Sequence, residues 1–315
     1  VGDTWKETVF RQREELARLL HQPLADLAQQ CTAAWGSREA LNRVLLDNFD
    51  NIPHCTYAYV LNTDGIQVCD NVSRDGLLPA HFGRDRSQRP YMREVVPAWG
   101  FLLSDAYISL IAHRPSLTAL HLLRAQDKPI GYLGADFDLR NLPVTAAHYE
   151  EPGHWRQIKG DPSIRSHLFQ QSRVESPLDR NIDQAFSILE ELITERGMFQ
   201  GVFHFSGSRA TVWFMDDPYR YRILDQEALT DPDICLAYPC RAYSDNALIP
   251  QSSIPQVLQG LRDLRLGDDV IYLRSASINI FNGLVSMTFS CDGSHYMRYD
   301  EFLKKGTEFW LGSAA

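Results

Sequence analysis

"RPSLTALHLLRAQDKPIGYLGADFDL", residues 114–139, decides the fold of the first half of this chain. Two apolar runs, 114–124 and 129–139, flank the polar turn Ala125-Gln126-Asp127-Lys128, which predicts two antiparallel strands. Just upstream, FLLSDAYIS (101–109) reads as a third strand of the same meander. Earlier still, TYAYVL (56–61) and IQVCD (66–70) flank Asn62-Thr63-Asp64-Gly65 and read as a hairpin closed by an Asp-Gly turn. Residues 5–30 carry Phe10, Leu16, Leu19, Leu20, Leu24 and Leu27 at helical spacing, with Pro23 expected to bend or restart the helix. A second helix is expected from Ser37 as N-cap to about Phe49. Helices, a hairpin and a meander in that order predict an α+β domain: long N-terminal helices (5–49) on an antiparallel sheet (56–139) of about five strands.

The chain then changes character. Residues 143–180 are polar and punctuated by Pro143, Pro152, Gly153, Gly160, Pro162 and Pro177, the pattern of a connecting segment, with one short helix expected near Ile164–Phe169. A clear helix follows in NIDQAFSILEELITERG, whose stripe of Ile182, Phe186, Leu189, Leu192 and Ile193 stops at Gly197. Beyond it, strands are expected at 201–206, 209–215, 220–224, 270–278 and 283–291, with a helix at 254–264. Residues 181–315 therefore read as a second α+β domain, and 1–142 as the first.

Composition excludes several functions. A formal net charge of -9 opposes broad affinity for nucleic acid or an anionic membrane. No run approaches the roughly 18–20 apolar residues of a membrane span. The six cysteines form no CxxC pair, and the ten histidines form neither HExxH nor HxH, so no metal or cofactor is expected. Buried free thiols favour the cytoplasm; an extracytoplasmic location is the alternative if an anchor or signal has been removed.

One short loop opposes the acidic balance. GRDRSQRPYM, residues 83–92, holds three arginines. Ser87 is expected to cap a short helix over QRPYMREVV, with Pro90 in its first turn. Taken in order, YVLNTDG, GRDRSQRPYM, LLSDAYIS, RPSLTAL and PIGYLGADFDL resemble the Cache (PDC-type, PAS-like) sensor domains of bacterial chemoreceptors, histidine kinases and cyclases. The resemblance implies a PAS-like sheet and a signal-transduction role, with a small polar ligand, a carboxylate or an amino-acid-like metabolite, held between loop and sheet. It places the ligand-contacting arginine on Arg89, the following aromatic on Tyr91, Asp105 and Tyr107 in the next strand, and the late-strand acid on Asp136. Two positions depart from the amino-acid-binding pattern, Met92 and Arg84 standing where aromatics are expected. The extra charge of Arg84 and Arg86 would suit a more anionic ligand such as a dicarboxylate. The physical logic is independent of family: Arg offers a rigid fork to a carboxylate, and Asp an acceptor to an amine.

Other readings compete. The first domain could be a ligand-free dimerisation module working through its N-terminal helices. An enzyme in the second domain would need acids such as Asp216, Asp217 and Asp225 to converge, and no catalytic motif is present, so none is expected. Ser206, Ser208 and Arg209 could form a second anion site or simply a hairpin turn, and the hairpin is favoured. His54-Cys55 lacks an orienting third partner for nucleophilic chemistry.

Overall fold

The computed structural model describes residues 4–94, 96–97, 99–147, 149, 172–291 and 293–311. The chain is α+β and divides into two compact units, Asp3–His148 and Tyr149–Ala315. The short helix expected near Ile164–Phe169 lies outside the described residues.

In the first unit, helix α1 (Trp5–Ala33) starts at a capping box, Thr4 accepting from the Glu7 N–H and Glu7 accepting from the Thr4 N–H. It runs unbroken through Pro23. The carbonyl that loses its donor there is that of Leu19, on a partly exposed position where water can replace the bond. Leu16, Leu20, Leu24 and Leu27 are buried, each stabilising by about 1.5–3 kcal/mol. Phe10 and Leu19, expected in the same stripe, are instead exposed. Helix α2 (Arg38–Asn48) begins at Ser37, whose hydroxyl accepts from the Ala40 N–H.

The sheet comprises β1 (Tyr57–Asn62), β2 (Asn71–Ser73), β3 (Gly76–Leu78), β4 (Phe101–Leu103), β5 (Tyr107–Ile108), β6 (Pro115–Ala125) and β7 (Lys128–Asp138). Its order is β3-β2-β1-β7-β6-β4, with β5 also on β6, and its pairs are antiparallel. Gln126 and Asp127 both take positive φ in the β6–β7 turn, matching the twist of a tight hairpin. The first hairpin differs from expectation. The Asp-Gly turn closes with Asn62 N–H donating to Ile66 O at 2.8 Å and Val68 N–H to Val60 O at 2.9 Å, but residues 66–70 form no continuous strand, the Leu61–Gln67 bridge standing alone before β1 pairs onward with β2. The expected strand 101–109 is also broken. The Ser104 hydroxyl accepts the Thr118 N–H at 3.0 Å, a side chain replacing a ladder carbonyl between β4 and β5.

Among its described residues the second unit has a six-stranded antiparallel sheet. Helix α3 (Pro177–Arg180) leads into α4 (Ile182–Glu195) and the meander β8 (Met198–His204), β9 (Arg209–Phe214), β10 (Asp217–Leu224). After α5 (Gln226–Thr230), helix α6 (Ile254–Leu266) leads into a second meander, β11 (Leu273–Asn279), β12 (Leu284–Phe289), β13 (Ser294–Arg298), followed by α7 (Tyr299–Leu311). The order β10-β9-β8-β11-β12-β13 joins two helix-plus-meander halves back to back at β8 and β11. Asp179 on α3 pairs in a two-pronged bond with Arg265 of α6 at 2.7 Å for each contact, both side chains almost fully buried. Helix α3 thus belongs to this unit rather than to a connector. Strand β13 and helix α7 were not expected from sequence, because β13 alternates between exposed and half-buried residues and shows no apolar face.

Of the six cysteines, Cys31, Cys69 and Cys235 are buried and Cys55 is half-buried, while Cys240 and Cys291 are exposed, against the expectation of buried thiols throughout. Among the described residues, no helix is long and apolar enough to cross a membrane.

Candidate ligand-binding site

The loop that carries the arginines is positioned by backbone. Gly83 N–H donates to Gln67 O at 3.0 Å, Gln67 N–H to Arg84 O at 3.0 Å, and Arg86 N–H to Gly65 O at 2.9 Å. The stretch 65–67, bonded back to β1 on one side through Asn62 N–H to Ile66 O at 2.8 Å, serves on the other as the rail for residues 83–86. Gly65 sits at φ +81°, as the Asp-Gly turn requires. The expected helix after Ser87 is a single 3₁₀ turn, Pro90–Met92, without a side-chain cap. Ser87 does not cap it; its own N–H donates to Asp85 Oδ1 at 2.8 Å.

Strand register builds the other wall. Asp136 on β7 stands between Tyr57 of β1 and Thr118 of β6, and the period of two brings Tyr59 onto the same face. Gly134, opposite Tyr59, lets that ring lie flat across the strand, since a Cβ there would meet it at 2.4 Å. The Tyr59 hydroxyl donates to Asp136 Oδ1 at 2.8 Å, and Thr118 Oγ1 donates to the same oxygen at 2.7 Å. Tyr107 lies 2.6 Å from Thr118 Oγ1. Because Thr118 has given its proton to the carboxylate, Tyr107 is the donor in that pair. Burial, reinforced by the nearby Asp136 charge, holds both Tyr59 and Tyr107 well above the usual phenol range, so each stays protonated and donating.

Arg86 is the buried cation of this cluster. Its guanidinium lies 3.8 Å over the Tyr59 ring and its Nη1 lies 3.7 Å from Asp136 Oδ2. Nε donates to Gln67 Oε1 and Nη2 to Asn71 Oδ1, both at 2.9 Å, and Nη1 reaches the Tyr91 hydroxyl at 3.3 Å. Burial opposes its charge, but the Tyr59, Asp136 and Tyr91 oxygens outweigh it and raise its pKa. The Nδ2 of Asn71 is buried and has no acceptor among the described residues.

The residues expected at the site divide into two groups. Tyr91, Tyr107 and Asp136 come together, with Tyr91 and Tyr107 rings 5.8 Å apart. Arg89 joins them at the edge, half-buried, its guanidinium 5.6 Å from the Tyr107 ring centre. Asp105 does not join; it is exposed and pairs with Arg13 of α1. Arg84 is exposed and contacts His81 at 3.3 Å. Met92 is half-buried on the 3₁₀ turn. Tyr59, Thr118, Gln67 and Asn71 were missed, and Arg86, expected only as extra loop charge, is the buried cation. Counting by twos from Tyr57 reaches Tyr59, but the irregularity between Leu123 and Arg124 shifts the hairpin by one residue, so counting from the turn would set Leu117, not Thr118, opposite Asp136.

The competing constellations dissolve into structure. Asp216 pairs with Arg241, Asp217 with Arg220, and Asp225 caps α5 by accepting from the Ala228 N–H. Ser208 is buried and accepts the Leu178 N–H at 3.1 Å. Cys55 donates to the Tyr57 carbonyl, and burial pushes its thiol far above the range of a nucleophile. No group of three or more metal-ligating side chains occurs among the described residues.

No known protein family matches the sequence, and no curated protein does. Several solved structures resemble part of the chain. An extracellular ligand binding receptor from Desulfohalobium retbaense matches at 14% identity, over 44% of this chain and 25% of that one, with a TM-score of 0.35. The ligand-binding domain of the Campylobacter jejuni chemoreceptor Tlp3, in complex with 4-methylisoleucine, matches at 14% identity over 46% of this chain and 65% of that one, TM-score 0.33. The ligand-binding domain of the Pseudomonas aeruginosa amino acid chemoreceptor PctB, in complex with L-Arg, matches at 25% identity over 42% and 52%, TM-score 0.30. The chain thus spans less than two thirds of each. Likenesses of this size leave the reading of function to the side chains of the cluster.

Proposed function

We propose that the Asp3–His148 unit senses a small polar metabolite, in the manner of Cache domains, on the sheet face that carries Tyr59, Thr118 and Asp136. Arg89, Tyr91, Tyr107 and Asp136 are the proposed contacts, with Arg86 behind them. One observation carries this reading. A carboxylate, two guanidinium groups and three tyrosines meet between a sheet and a loop, an arrangement costly to keep unless charges are met there. The loop 83–94 is the element a ligand would bias, because it is held by backbone bonds to residues 65–67 and contains only one 3₁₀ turn. Ligand binding switches such an element only through a different affinity for its two positions. A thermal-shift screen of carboxylates, amines and amino acids tests the reading. A stabilising compound whose effect is lost in Arg89→Ala and Asp136→Ala supports it; equal responses in both variants reject it.

Phe10, 62% exposed on α1, favours a second reading in which the N-terminal helices pair two copies of the chain. Light scattering of Phe10→Glu decides it: a dimer that survives the substitution removes α1 as the interface.

A further inference from the structure

Arg86 occupies the ground beside Asp136 that a cationic ligand group would need. Its guanidinium is held by Gln67 and Asn71 at 2.9 Å each and stacked on Tyr59, so it is fixed rather than free to swing away. Asp136 therefore already has a counter-ion. One carboxylate oxygen is taken by the Tyr59 and Thr118 hydroxyls. The other faces Arg86 Nη1 at 3.7 Å, beyond hydrogen-bond length, and can accept one more donor.

The remaining charge points the same way. Arg89 adds a second, half-buried cation at the edge of the cluster, with no acceptor for its guanidinium among the described residues. The acids nearby are engaged elsewhere: Asp85 accepts from the Ser87 N–H, Asp105 pairs with Arg13, and Glu94 accepts from the Asp105 N–H. The orphan Nδ2 of Asn71 is a further donor without an acceptor. Two guanidinium groups and one carboxylate leave the cluster one positive charge in excess.

We propose that the site takes a small carboxylate that carries no ammonium group. Its carboxylate meets Arg89, and a neutral donor such as a hydroxyl meets Oδ2 of Asp136. This rests on the sensor reading above and narrows it: an ammonium at Asp136 would be pressed against an immobile guanidinium, whereas a hydroxyl would not.

Isosteric pairs test it on the full chain by titration calorimetry: L-lactate against L-alanine, L-malate against L-aspartate, 2-hydroxyisocaproate against leucine. At least one hydroxy acid is expected to bind about tenfold or more tightly than its amino acid, the size of effect a neighbouring like charge has on a proton affinity. An amino acid that binds as tightly as its hydroxy counterpart overturns the proposal and leaves the sensor reading standing. Binding by no member of any pair overturns the proposal, and the sensor reading is then decided by the thermal-shift screen. Arg86→Met, which strips Asp136 of its counter-ion, should move the preference towards the amino acid, and Arg86→Lys should keep it. An Arg86→Met protein that folds and retains the hydroxy-acid preference refutes the role given to Arg86. If that variant fails to fold, the wild-type pairs decide alone.

Discussion

Gly65 and Ser87 are in backbone contact: a methyl group on Gly65 would stand 2.9 Å from Ser87 Cα. Gly65→Ala would also force an alanine into the left-handed region. The variant is expected to lose about 2 kcal/mol or more in urea denaturation, because the neighbour that must give way is backbone rather than a flexible side chain. Gly36→Ala, at positive φ but with open space around it, should lose less and calibrates the contact.

Thr118→Val removes the hydroxyl that links Tyr107 to Asp136. The buried Tyr107 hydroxyl then loses its acceptor, a cost of about 1–3 kcal/mol. Thr118→Ser keeps the link and should retain most of the stability; a loss in Thr118→Ser with none in Thr118→Val would show that the methyl group, not the hydroxyl, matters.

Asp179→Asn breaks the buried ion pair with Arg265. Arg265 has no exposure to water, so its unmet charge is expected to cost about 3–5 kcal/mol, measured by denaturation of the full chain. A loss near zero would mean that the Leu273 carbonyl and the rings of Phe205 and Tyr272 suffice for Arg265.

Burial, reinforced by the charge of His21, holds His121 below its ordinary 6.5. The folded state binds this proton less readily than the unfolded chain does, so the contribution is complete above pH 6.5 and lost as pH falls below it. Stability should drop between pH 7 and pH 5, and His121→Phe should flatten that part of the profile; an unchanged slope would assign it to other groups.

Burial pushes the thiols of Cys31 and Cys69 up to about 12, and those of Cys55 and Cys235 upward as well. At pH 8 the native chain should react with iodoacetamide at Cys240 and Cys291 only, and at all six after unfolding. Rapid native labelling of Cys69 would contradict the packing around Val60, whose N–H it accepts.

Much of the first unit was legible because its strands are long or amphipathic. The β6–β7 hairpin and the Ser37 cap both follow from local patterns. What failed did so for non-local reasons. Residues 66–70 look like a strand, yet their partner on one side is the loop at 83–86, a pairing that sequence alternation does not encode. The same pairing buries Arg86, while Arg89, the arginine that motif order favours, stops at the edge. Asp105 was drawn away by Arg13, on a helix some ninety residues earlier. Strand β13 lacks an apolar face, so only the edge of β12 reveals it.

The back-to-back halves of the second sheet have a kinetic consequence. Each meander joins neighbours in sequence, but the ladder from Phe203 to Ala276 must close across everything between. Late formation of that seam follows, because distant contacts are opposed by loop-closure entropy that local ones escape. Ala276→Gly should then hasten unfolding and leave the folding rate almost unchanged.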